Sequence, residues 1–246
     1  MANIEKIFLE ARKSVGNINH SNLSPLVTFD ELCALTQNNS LKEFLMLLSK
    51  KEVIRSLLKK YNLPYHFNQE EIDFQKINFI QLGNDGAIVP VDFKPQIELL
   101  LDNFYKLVES TWQNQGLTYE LAKQRFPIEI SSGFRSSAYQ AYTICLNSIN
   151  DEDKTKPFTK SLEYVLQSVA LPYTSEHGTI PCAIDIKQFQ VGKNGMFKSY
   201  DEIRNHPVWQ LFKQVAKENN FIESYPKNSK VNFGNGEPWH FRYIGN

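Results

Sequence analysis

The strongest constraint on the fold is a change of hydrophobic period near residue 77. Up to about residue 62 the apolar side chains recur at helical spacing, as with Ile4, Ile7, Phe8 and Ala11 in "MANIEKIFLEARKSVG". Three capping-box patterns, Thr28 to Glu31, Ser40 to Glu43 and Ser49 to Glu52, mark expected helix starts in the same region. "INFIQLGNDGAIVPVDF" (77 to 93) instead sets short branched runs on either side of Asn84, Asp85 and Gly86, the pattern of a hairpin. A long helix should follow: Pro95 suits its first turn, Ile97, Leu100, Leu101, Phe104, Leu107 and Val108 make one stripe, and Gly116 ends it. Beyond it strands and helices mix. Strands are expected at "PIEISSG" (127 to 133), "CAIDI" (182 to 186), "FIESY" and "HFRYI", and helices across 136 to 149, 158 to 170 and 207 to 219. This mixture predicts an α+β protein in which helices pack on an antiparallel sheet. The expected division is a helical N-terminal region with a hairpin, 1–93, and a second domain, 94–246.

Equal numbers of basic and acidic residues, 27 of each, leave no electrostatic footprint for nucleic acid or an anionic membrane surface. The longest apolar run, Phe44 to Leu48, is far too short to span a bilayer, and the N-terminus lacks the continuous apolar stretch of a signal peptide. The expectation is a soluble chain without an export signal. Cys33, Cys145 and Cys182 show no paired short spacing, so they form neither a zinc-finger nor a redox signature; buried, reduced thiols are expected in preference to a disulfide.

Near the C-terminus "GEPWHFRYIG" (236 to 245) places Glu237 three residues before His240. Pro238 opposes a helix there, and on a regular strand residues three apart point to opposite faces. If the two side chains share a site, a Trp-containing turn has to re-aim one of them. The segment "TSEHGTIPCAIDI" (174 to 186) supplies reasons for such a site. Asp185 interrupts an apolar strand, where alternation turns it away from Ile184 and Ile186, and His177 precedes it by a loop. His177, Asp185 and His240 form a suitable set of three for a catalytic zinc with an open fourth position, and Glu237 would act as a base. In "SSGFRSSAYQ" (131 to 140) a strand leaves through Gly133 into a helix, with Arg135 at the helix N-terminus and Gln140 about a turn and a half further on. A guanidinium there provides a bidentate fork for a carboxylate. His20, His66 and His206 have no such partners in sequence.

These three segments, in this order, resemble the zinc D-alanyl-D-alanine carboxypeptidases of the VanY type, within the wider group that includes lysostaphin-type enzymes and sonic hedgehog. The family pattern is a serine-glycine-aromatic-arginine-serine segment with a glutamine five residues after the arginine, then a serine-x-histidine segment leading to an aspartate, then glutamate-proline-tryptophan-histidine. Here these are Ser132 to Gln140, Ser175 to Asp185 and Glu237 to His240, and "FIESYP" and "FRYIG" are similar as well. The likeness covers roughly residues 95 to 246. The family has seven positions from histidine to aspartate with a glycine in the loop, whereas His177 to Asp185 is eight, with Ile180 and Pro181 at the glycine's place. An extra residue of this kind can be absorbed in a bulge or longer turn, leaving the rim of the site as the part that differs.

The resemblance implies a Zn2+-dependent peptidase domain over 94–246 that acts on peptidoglycan stem peptides at the bacterial cell wall or periplasm. It implies His177, Asp185 and His240 as ligands, Glu237 as base, Arg135 and Gln140 as substrate-positioning residues, and Ser175 as support for the loop of His177. Removal of a terminal D-alanine, with D,D or L,D specificity, is the expected reaction. A peptidoglycan endopeptidase like a phage lysin, or an inactive zinc-containing wall-binding module, are the other readings; a purely structural zinc would have no use for Glu237.

Overall fold

The computed structural model describes residues 2–13, 23–67, 72–82, 87–147, 161–192 and 197–245. In chain order its helices are α1 (Ala2–Ala11), α2 (Phe29–Leu35), α3 (Asn39–Leu48), α4 (Lys51–Lys60), α5 (Lys94–Trp112), α6 (Tyr119–Arg125), α7 (Ser137–Leu146), α8 (Leu162–Leu166), α9 (Tyr200–Asn205) and α10 (Pro207–Glu218). The strands are β1 (Phe79–Leu82), β2 (Ala87–Pro90), β3 (Ile130–Ser132), β4 (Ile184–Ile186), β5 (Phe221–Glu223) and β6 (His240–Tyr243). The mixture of helix and antiparallel sheet is the one the change of period requires. Two compact units form, each from more than one stretch of chain: 1–74 with 135–179 and 230–233, and 75–134 with 180–229 and 234–246.

The first unit is helical. Four buried residues of α3, Leu41, Phe44, Leu45 and Leu48, make one face, and Phe44 meets Phe8 of α1 at 5.4 Å between ring centres. Thr28 caps α2 with the full capping box, its hydroxyl accepting from the Glu31 amide while the Glu31 carboxylate accepts from the Thr28 amide. The other two boxes do not form. Asn38 caps α3 by accepting from the Leu41 amide, which leaves Ser40 inside the helix. Ser49 closes the end of α3, its amide donating to the Leu45 carbonyl, and α4 starts after Lys50 without a side-chain cap. The helix expected over 158 to 170 spans Leu162–Leu166, capped by Ser161; positions 158 to 160 lie outside the described residues.

The second unit carries both sheets. β1 and β2 pair antiparallel from Phe79↔Pro90 to Leu82↔Ala87, as expected of a hairpin, although its turn at Asn84, Asp85 and Gly86 lies outside the described residues. The larger sheet is antiparallel in the order β3-β4-β6-β5. Helix α10 packs on it and α5 packs on α10: Phe212 of α10 contacts Phe104 of α5 at 5.3 Å and Phe241 of β6 at 5.1 Å, all three fully buried. Burying three such rings together contributes substantially to the core here, since each aromatic side chain hides on the order of 150–250 Å². Pro95 lies in the first turn of α5, and a short 3-10 turn after Trp112 ends at Gly116 in the left-handed region, φ 77°. His206 caps α10 through its ring nitrogen, which accepts from the Val208 amide, a structural role; His66 is exposed, and His20 lies outside the described residues.

Candidate metal centre

The centre starts from strand pairing. β4 and β6 are the inner strands of the larger sheet, and their register sets Asp185 directly opposite His240. Cross-strand neighbours have Cβ atoms only about 4.5–5.5 Å apart, so a carboxylate and an imidazole placed there meet without further folding. Asp185 Oδ1 lies 3.0 Å from His240 Nδ1, and the two residues are 6% and 3% exposed. Ile184 and Ile186 are buried as well, so Asp185 is turned away from their face but not towards open solvent.

The turn entering β6 solves the geometry of Glu237 and His240. The His240 amide donates to the Glu237 carbonyl at 3.0 Å, closing a four-residue turn with Pro238 and Trp239 at its tip. The Glu237 amide donates to the Tyr225 carbonyl at 2.8 Å, and the Ile186 amide donates to the Trp239 carbonyl at 2.9 Å. Gly236, at φ 66°, leads into the turn; a Cβ on it would stand 2.1 Å from the Tyr225 carbonyl oxygen. The outcome is that Glu237 Oε2 sits 3.9 Å from His240 Nδ1 with its side chain 15% exposed. The Tyr225 ring lies against the imidazole at 4.9 Å between centres, inclined by 32°.

His177 lies in a short 3-10 turn, Glu176–Gly178, and is 4% exposed. Ser175 caps that turn, its hydroxyl accepting from the His177 amide at 3.3 Å. The His177 carbonyl in turn accepts from the Arg135 amide at 3.0 Å, which ties the arginine's loop to the histidine's. Arg135 immediately precedes Ser136, the N-cap of the ten-residue α7; burial pushes the Tyr139 phenol above its ordinary pKa, with the Arg135 charge opposing the rise. Gln140 is 3% exposed; its amide nitrogen donates to the Ala170 carbonyl at 2.6 Å, and its carbonyl oxygen is buried without a partner among the described residues. The Ile180–Pro181 peptide, in the longer loop towards Asp185, is cis.

One ligand atom from each of His177, Asp185 and His240 lies within 4.8 Å of the other two, and all three residues are buried. Two imidazoles and one carboxylate at that spacing fit a divalent metal, because the donors are those of three-ligand catalytic sites and burial removes competing water. Two contacting residues were not singled out from sequence. Tyr225, which the β5/β6 register of Glu223↔Phe241 continued by two positions brings opposite Trp239, beside His240, had a signal in the family-like segment "FIESYP". Trp209, whose indole reaches the same turn, had none.

The family model described as VanY, D-alanyl-D-alanine carboxypeptidase, matches residues 107–246. The chain belongs to that family. A curated relative, the bifunctional D-Ala-D-Ala dipeptidase and D-Ala-D-Ala carboxypeptidase VanXYC of Enterococcus gallinarum, is 37% identical over 91 residues. That match covers 34% of this chain and 43% of the relative, so it spans less than half of the relative's length. Solved structures similar to the chain include a Zn(II) complex of a mutant of the vancomycin-resistance D,D-pentapeptidase VanY from a VanB-type cassette, at 21% identity, covering 75% of this chain and 89% of that one with a TM-score of 0.44. Another is the D,D-dipeptidase VanXYg with a phosphinate analogue of D-Ala-D-Ala, at 17% identity, 75% and 62% coverage and a TM-score of 0.46.

Proposed function

We propose that the chain is a zinc-dependent carboxypeptidase that removes the terminal D-alanine from peptidoglycan stem peptides. The observation that carries this reading is the buried His177, Asp185 and His240 set with the Glu237 carboxylate beside it. Membership of the VanY family supports it, as does a relative named for both dipeptidase and carboxypeptidase action on D-Ala-D-Ala. Among the described residues no helix is long and apolar enough to cross a membrane.

Zinc held by His177, Asp185 and His240 would act as the Lewis acid, polarising the scissile carbonyl and lowering the pKa of water to about 7. Glu237 accepts a proton from the attacking water as its oxygen bonds to the carbonyl carbon. It then returns that proton to the amine nitrogen as the C–N bond breaks, so a shortened stem and free D-alanine leave. Such a base must be held close to the reacting atoms, and the three backbone hydrogen bonds of the 236–240 segment do this. Arg135 receives the substrate's terminal carboxylate through its planar fork, with stabilisation of the developing oxyanion as the competing role. Ser175 keeps the His177 loop in place, an outer contact of the kind that orients a metal-binding imidazole. Gln140, with its amide engaged by Ala170, acts on the substrate pocket by fixing the start of α7.

Mass spectrometry of purified muropeptides after incubation with the zinc-loaded protein tests this. Pentapeptide stems shortened by one D-alanine are the expected product. Release of the D-Ala-D-Ala dipeptide alone, cleavage of cross-links alone, or no cleavage would each overturn the assignment, in favour of a dipeptidase, an endopeptidase or an inactive wall-binding module respectively.

A further inference from the structure

We infer that Trp209 is a positioning residue for the proposed hydrolysis, acting through the backbone of the turn that carries Glu237 and His240; the inference rests on the roles proposed for those two. The Trp209 indole nitrogen donates to the Pro238 carbonyl at 2.8 Å in a buried contact. A buried tryptophan carries one polar group, a donor, and it is satisfied here by the catalytic turn and not by its own helix.

Among the described residues, four hydrogen bonds act on the backbone of residues 237 to 239. The Glu237 amide uses the Tyr225 carbonyl, the Glu237 carbonyl uses the His240 amide, and the Trp239 carbonyl uses the Ile186 amide. These three are bonds between main-chain groups, which any side chains at those positions would leave available. The fourth, from Trp209 to Pro238, depends on one side chain. It also acts on the peptide unit at the tip of the turn, between Pro238 and Trp239. Orientation of that unit is what separates the two common turn types, and Trp239 at the third position, which does not have the positive φ that the second type needs, is compatible with the first. An external donor on one side of the tip adds to that local preference by holding the Pro238 carbonyl in one orientation.

The donor is itself well anchored. Trp209 is 5% exposed in the first turn of α10, the Lys213 ammonium lies 4.9 Å from its ring, and Phe212 on the same helix is locked between Phe104 and Phe241. On the far side of the tip, Trp239 leans on Tyr200 of α9 at 5.8 Å. The helix layer thus reads the turn through the indole, and the turn sets the separation of base and ligand.

The test replaces the Trp209 indole, by site-specific incorporation, with its benzothiophene isostere, which has sulfur in place of the N–H and nearly the same shape. Trp209→Phe is the second variant, and the isostere decides if that one does not fold. With a pentapeptide muropeptide, kcat per zinc-loaded molecule should fall by about tenfold to a hundredfold at unchanged KM, as expected when a catalytic group is displaced by up to about 1 Å. A packing role alone would leave the isostere with the parent's kcat, and that result overturns the inference. If the parent protein cuts no muropeptide, the proposed function fails separately, and zinc affinity by chelator competition decides: a several-fold weaker Kd in the isostere supports the clamp on His240, and an unchanged Kd refutes it.

Discussion

Gly236→Ala perturbs the turn that carries Glu237 and His240 by a single methyl group, and two separable effects set its size. At φ 66° the residue is in the left-handed region, where a side chain costs about 1–2 kcal/mol. The added Cβ would also stand 2.1 Å from the Tyr225 carbonyl oxygen and 2.4 Å from that of Pro226, so the backbone has to give way at roughly 1–3 kcal/mol. Against this, alanine restricts the unfolded chain and recovers about 0.4–1 kcal/mol. The net loss is roughly 1–5 kcal/mol, which for a chain of this size corresponds to a fall in Tm of about 2–20 °C. Gly116→Ala is the matched control: φ is 77°, but nothing lies within 4 Å of the new Cβ, so only the backbone effect remains. Its Tm should fall by no more than about 2–6 °C on the same reasoning. Thermal unfolding followed by circular dichroism, at fixed zinc, compares the two. Equal shifts would show that the close approach at Gly236 is not a constraint and refute the argument. Turnover should separate the variants further, because only Gly236 adjoins the Glu237 amide that donates to Tyr225.

Glu237→Gln should retain zinc and fold while losing a factor of about 100 to 10,000 in kcat, since an amide cannot accept the proton; parental rates at full zinc occupancy would remove its role as base. His177→Ala and His240→Ala should each lose most of the one zinc expected per chain, and elemental analysis showing undiminished metal in both would contradict the ligand set. Amidation of the stem's terminal carboxylate should lower kcat/KM about tenfold to a hundredfold, and Arg135→Ala should abolish the preference; equal efficiency on free acid and amide would instead assign Arg135 to the oxyanion. None of the three thiols is in a disulfide, and burial pushes Cys182 up to about 12 and raises Cys145 as well, so a thiol reagent near pH 8 should modify no more than the half-exposed Cys33 until denaturant is added. More than one equivalent of reaction in the native protein would contradict that burial.

Features written in local sequence were legible before the structure; of those made by distant partners, the metal set was legible through its three ordered motifs and the others were not. Pro238 ruled out a helix and so required the turn, and the hairpin and the two ends of α5 followed from Pro, Gly and the switch from helical to alternating spacing. The capping boxes at Ser40 and Ser49 misled because a serine followed three residues later by glutamate recurs inside helices; Asn38 offers its oxygen first, and the Ser49 amide is already used to end α3. Helices α6 and α9, of seven and six residues, are too short for a period to emerge, although Thr118 and Ser199 cap them as a serine or threonine should. Spacing could pick out Asp185 and His240 as unusual residues, but their meeting across 55 positions is a matter of strand register. The Trp209 bond to Pro238, 29 residues away, leaves no trace in either segment.

The sheet order β3-β4-β6-β5 places the strand latest in sequence between two that come earlier. Until β6 is in place between them, β4 and β5 therefore have facing edges unpaired, each a template for a wrong partner. The same insertion delivers His240 opposite Asp185. A nascent chain halted before that strand would be both prone to aggregate and unable to capture metal through the pair. Completion of the sheet and the meeting of these two proposed ligands are thus a single event.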